Sequence, residues 1–194
     1  QAIQWKSEYE SMFPANVYRW QDGANKYSMT VVNMADSEAI YNSRPRSIDF
    51  QAAAYWQIDI LGSVQYVATQ YRMRPMSKVT FDGFHYINLV IGHQLQLANN
   101  DGTKTFVALY LHENRLYVLD ATVAAGQPPP IAFQQSLEFL DDAGKSIRYR
   151  QYYYNRLPEP KLTRRNADPG QGIADAPANP AQGGGQPPLP PRSR

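Results

Sequence analysis

Three histidines, His85, His93 and His112, and a scatter of carboxylates are the residues able to do chemistry, because the chain contains no cysteine. Without a thiol, thiolate catalysis, disulfides, zinc fingers and iron–sulfur clusters drop out. Histidine and carboxylate are left as metal ligands and as general acids or bases. If residues 84–98 form one strand, His85 and His93 share parity and point to one face. Eight residues at ~3.3 Å each place them about 27 Å apart, too far for one metal ion. Both are expected as partly covered surface side chains. His112, in the turn His112-Glu113-Asn114, is expected to be solvated. No metal and no cofactor of the chain's own is predicted.

The carboxylates assemble no better. Asp141 and Asp142 are neighbours, and neighbours on a helix point about 100° apart, so they share no proton. Asp120 interrupts the apolar run Val118-Leu119-Asp120-Ala121-Thr122. Alternation turns it to solvent, or a basic residue on the next strand pairs with it. A glycosidase needs a second, placed carboxylate, and none stands out. Gly183-Gly184-Gly185 lacks the lysine and following helix of a phosphate loop. Ser63 and Ser136 lie near apolar segments but have no local base. An enzyme is therefore not predicted.

Arginine and tyrosine offer a different chemistry. Fourteen tyrosines are present, and Arg148, Arg150, Tyr152 and Tyr154 alternate with further residues in one short stretch. Interleaved arginine and aromatic side chains suit single-stranded nucleic acid, and equally a protein interface. Charge separates the two. The net charge of +2 resides wholly in residues 158–194, leaving fourteen basic and fourteen acidic residues in the remainder. A neutral body does not attract phosphate, so no nucleic acid is expected and a protein partner is.

Residues 158–194 hold nine prolines, five glycines and no aromatic residue. Such a stretch buries too little apolar surface to form a core. Pro187, Pro188, Pro190 and Pro191 favour an extended polyproline conformation next to Arg192. With Arg164 and Arg165 they are predicted to lie along a partner. The organisation expected is thus a domain over 1–157 and an extended Pro/Gly-rich tail over 158–194.

The elements that position these residues follow from pattern. Residues 27–34 read as a strand after the turn Asp22-Gly23, with Val17, Arg19 and Trp20 in its hairpin partner. A helix is predicted over 48–61, with Phe50, Ala54, Ile58 and Leu61 on its buried face and Gly62 as its stop. Residues 64–74 alternate like a strand. Further strands are read over 78–81, 84–98, 105–111 and 115–124, with turns at Asp82-Gly83 and Asn100-Asp101-Gly102. A second helix over 131–143 would bury Phe133, Leu137 and Leu140, ahead of a last strand over 146–154. Links this short dictate antiparallel pairing. The fold class expected is α+β, a mostly antiparallel sheet covered by helices.

Phe13-Pro14, the strand 27–34, Leu109-Tyr110-Leu111, Asn114-Arg115-Leu116-Tyr117-Val118-Leu119 and Phe133 with Phe139-Leu140 occur in an order that resembles the PsbP-like α/β sandwich of small exported bacterial domains. The resemblance covers residues 13–143, and the Tyr-rich stretch and the tail depart from it. It implies a sandwich fold and a non-catalytic accessory or binding subunit. The combination is also similar to the small third subunit of membrane-bound quinohaemoprotein alcohol dehydrogenases, which holds no cofactor. On that reading the chain docks on and stabilises a larger, oxidoreductase subunit of a hetero-oligomeric complex. The alternative is a free-standing periplasmic module that binds a small ligand in the sandwich cleft. The chain opens on Gln1, through trimming or through signal-peptide cleavage. The second route predicts a periplasmic or secreted protein. No run of eighteen apolar residues occurs, so no membrane-spanning helix is expected.

Overall fold

Alternation of apolar and polar residues dominates the chain, and seven strands result. The computed structural model describes residues 1–43 and 55–158. In chain order the elements are β1 (Ala2–Lys6), β2 (Met12–Asp22), β3 (Asn25–Asn33), α1 (Ser37–Asn42), α2 (Tyr55–Arg72), β4 (Ser77–Ile87), β5 (Val90–Asn99), β6 (Lys104–His112), β7 (Arg115–Val123) and α3 (Ile131–Gln134). The strands form one antiparallel sheet in the order β1-β2-β3-β7-β6-β5-β4. Tight turns make β1–β2–β3 and β4–β5–β6–β7 two meanders. The connection through α1 and α2 carries the chain to the far edge, so that β7 returns to pair with β3.

One face of the sheet is sealed by α2. Trp56, Ile60, Val67 and Ala68 pack on Phe13, Ala15, Val32, Leu95, Leu97, Val107, Leu109 and Leu116. Ile60 is fully buried there, so Ile60→Ala should cost ~2–5 kcal/mol. The opposite face is covered differently. Tyr110, Val90, Ala108 and Leu119 lie under Phe139, with Phe133, Leu137, Ile147, Tyr149 and Tyr153 packed around them. Those covering residues belong to a segment after β7 that is almost free of regular structure.

The expected α+β architecture is corrected accordingly: the described residues are mostly β, with one long helix among them, and within them helices do not cover both faces. That helix runs over 55–72, past the end predicted at Leu61; of the face proposed for it, Ile58 and Leu61 are exposed, while Phe50 and Ala54, with the rest of 48–54, lie outside the described residues. Gly62 sits inside the helix. Residues 64–74 are helical rather than a strand through Arg72. Residues 131–143 contain only the four-residue α3, because Pro128-Pro129-Pro130 precedes it and the chain then turns to bury Phe139 while Leu140 is exposed. The hairpin bend falls at Asn88-Leu89, both at positive φ, and Gly83 is in mid-strand.

Candidate interaction face and arginine cleft

The segment after α3 is fixed to the sheet by three of its side chains, with Gln151 left exposed between the second and the third. Ile147, Tyr149 and Tyr153 pack inward. His112, at the end of β6, anchors them: its ring stacks on Phe139 at 4.2 Å and its Nε2 lies 2.7 Å from the Tyr149 hydroxyl. His112 is buried, not solvated, and burial lowers its pKa. The Tyr153 N–H donates to the Leu89 carbonyl, and the Tyr153 hydroxyl accepts the Glu113 N–H. Asn155 exchanges two hydrogen bonds with Asn114, each 2.9 Å. The stretch 146–154 bends at Arg150-Gln151 and only isolated bridges join it to its neighbours, so the predicted strand is not formed.

Its alternate side chains face out. Arg148, Arg150, Tyr152 and Tyr154 are exposed, Tyr154 at 76%. Tyr152 meets Tyr86 of β4 edge-on at 6.0 Å, and Phe84, two residues before Tyr86, is 80% exposed. The four residues singled out here by sequence are thus exposed on a held segment, with Tyr86 of the edge strand against Tyr152, while the Phe84 ring meets His93 edge-on. Arg164, Arg165, Pro187, Pro188, Pro190, Pro191 and Arg192 lie outside the described residues.

An ionic cluster joins α2 to the β4–β5 hairpin. Arg72 Nε and Nη2 donate to the two Asp82 oxygens at 2.6 and 3.0 Å, and His93 Nε2 lies 2.5 Å from Asp82 Oδ1. The Arg72 bonds, aided by His93, hold the Asp82 carboxyl down to about 2. His85 and His93 do not share a strand. They sit on β4 and β5, one step apart in register and on opposite faces: His85 Nδ1 lies 2.9 Å from the Tyr110 hydroxyl, and His93 is buried under α2. Among the described residues no group of three histidines or carboxylates is arranged to hold a metal ion.

Beyond the last turn of α2 the helix-facing side of the sheet turns polar. Val17, Thr30 and Val118 pair across β2, β3 and β7; the next row on that face is Arg19, Ser28 and Asp120. A cleft of about 360 Å³ opens over the first row, walled by Ile3, Trp5, Val67, Gln70 and Tyr71, with Arg19 and Arg74 at its rim. The Tyr71 hydroxyl donates to Asp120 at 2.6 Å. Burial pushes the Asp120 carboxyl up against that bond, and burial together with the Asp120 charge pushes the Tyr71 hydroxyl far up. Asp120 thus neither faces open solvent nor pairs with a base; its partner is a phenol. Arg74 lies over the Tyr71 ring at 5.2 Å. The cleft residues were not found from sequence because the stretch holding four of them, Val67, Gln70, Tyr71 and Arg74, reads there as a strand.

No family model matches the chain, and no curated protein matches it. A solved structure from Pseudomonas aeruginosa, described as a protein of unknown function and putative regulator, aligns at 8% identity with a TM-score of 0.32, covering 64% of this chain and 83% of that one. Likeness that loose transfers neither fold nor function.

Proposed function

We propose that this chain is a non-catalytic accessory subunit that docks on a larger protein through Arg148, Arg150, Tyr152 and Tyr154, with Phe84 and Tyr86 extending the contact. The observation that carries the reading is that Ile147, Tyr149 and Tyr153 pack onto the sheet while Arg148, Arg150, Tyr152 and Tyr154 of the same segment are exposed. Inward residues anchor the segment, so the outward arginines and tyrosines are held in place before any partner arrives. Arginine and tyrosine supply a large share of interface energy, and preorganisation lowers the entropy lost on binding. The absence of a catalytic role is supported by how the histidines are used. Among the described residues their ring nitrogens lie against tyrosine hydroxyls, the Asp82 carboxylate and the Gln65 carboxamide, contacts that tie packed elements together.

Untagged native purification followed by mass spectrometry of co-eluting protein tests this. The wild-type chain should elute with a larger protein in fixed ratio. The variant Arg148→Glu/Arg150→Glu/Tyr152→Ala/Tyr154→Ala should lose it while keeping its thermal midpoint. A variant that still co-elutes in full, or a wild-type chain that elutes alone, would overturn the proposal.

A further inference from the structure

We propose that the cleft at the C-terminal end of α2 is a binding site for a small amphiphilic carboxylate, an apolar body with one anionic head. The site is separate from the docking face. Its floor is Val17 and Val118, and Trp5 supplies a flat apolar wall. At ~30 Å³ per water, about 360 Å³ holds about a dozen water-sized groups, which suits a short acyl chain and not a folded peptide.

Charge selects the head group. Arg19 and Arg74 are both exposed at the rim, and among the described residues neither lies within 4.0 Å of a carboxylate. Arg19 donates only to the Gln1 side-chain carbonyl, 2.8 Å away. Arg74 rests on Tyr71 within reach of the Asp120 charge, which attracts it without forming an ion pair. The nearest acid, Asp120, is two strands from Arg19 in the same row, about 10 Å at ~4.8 Å per strand, and its oxygen is occupied by Tyr71. Two guanidiniums that form no ion pair among the described residues, above an apolar floor, complement a carboxylate on an apolar stem, and the bond is charge-assisted.

Octanoate and its neutral counterpart octan-1-ol are the probes, titrated into the full chain by calorimetry and followed by amide NMR shifts. Octanoate should bind saturably, with the largest shifts at Thr30, Gln70 and Val118. Octan-1-ol should bind about tenfold more weakly, the order expected when charge-assisted bonds are lost. Arg19→Gln/Arg74→Gln alters two exposed side chains and should bring octanoate down to the level of the alcohol. No saturable octanoate binding, shifts confined to another surface, equal affinity for the alcohol, or full affinity in the double variant would each sink the proposal.

Discussion

Gly92 shows how one residue fixes a local arrangement. A Cβ there would overlap the Leu109 carbonyl oxygen and the Tyr110 ring. The ring crosses the space a side chain would fill, and its hydroxyl thereby reaches His85. Gly92→Ala should lower stability by ~1–3 kcal/mol, read as a lower urea midpoint at unchanged slope. An unchanged midpoint would mean the ring can swing aside freely. Asp120 behaves in the opposite sense. Its folded pKa is raised, so between its unfolded value of about 3.9 and that raised value the folded state binds more protons than the unfolded one. Stability from this group therefore falls as pH rises through the window, and at pH 7 the buried charge is a cost. Asp120→Asn keeps an acceptor for the Tyr71 hydroxyl and should leave the pH 7 midpoint equal or higher. A loss above ~1 kcal/mol would show that the carboxylate itself is required.

At the scale of elements, the sheet was legible and the helix was not, for reasons visible in particular residues. Asp22-Gly23, Asn100-Asp101-Gly102 and His112-Glu113-Asn114 bend the chain where turn chemistry places them, and β3, β6 and β7 follow. The β4–β5 bend was hidden because Leu89, a residue that disfavours positive φ, occupies the second turn position at 64°. Reading 84–98 through that bend also put His85 and His93 on one face. The helix was cut short at Gly62, read as a stop. Its buried stripe runs Trp56, Ile60, Ser63, Val67, with Tyr71 one turn further, which is helical spacing continued straight across the glycine. Misreading that stripe concealed the cleft, whereas the exposure of Arg148, Arg150, Tyr152 and Tyr154 depends only on which side chains of one short segment turn inward. Gly62 has room beside it: a Cβ added there would meet only a Glu8 carboxylate oxygen, 4.0 Å away. Gly62→Ala should accordingly stabilise the protein by roughly 0.5–1 kcal/mol through backbone entropy. A lower thermal midpoint would show that the position is needed for packing after all.

The whole molecule is a sheet with two unlike covers, and they should respond differently to acid. On the α2 side the strongest polar tie is Arg72–Asp82, and Asp82, with its pKa held to about 2, yields stability only as pH falls from about 4 through that value. On the other side the cover has little hydrogen-bonded structure of its own and is gathered around His112. Burial depresses the pKa of His112, and likewise that of His85, which meets Tyr110 on the same face of the sheet. Each therefore binds a proton in the unfolded chain, near pH 6.5, before it does so in the folded one. The stability they contribute is complete above about 6.5, declines as pH falls below it, and levels off under the depressed folded values. Asp120 works weakly against this trend lower down. Protonating His112 places a charge between Phe139 and Tyr149, so the segment carrying Tyr149 and Tyr153 should loosen before the sheet does. Amide hydrogen exchange at pH 7 and pH 5 reads this directly: protection should fall first at residues 147–155, while β6 and β7 stay protected. His112→Phe keeps the stack on Phe139 and removes the titrating group, so its thermal midpoint should fall less steeply between pH 7 and pH 5 than the wild type's. Equal slopes in the two proteins, or loss of protection in the sheet and the segment together, would rule out His112 as the residue on which this cover depends.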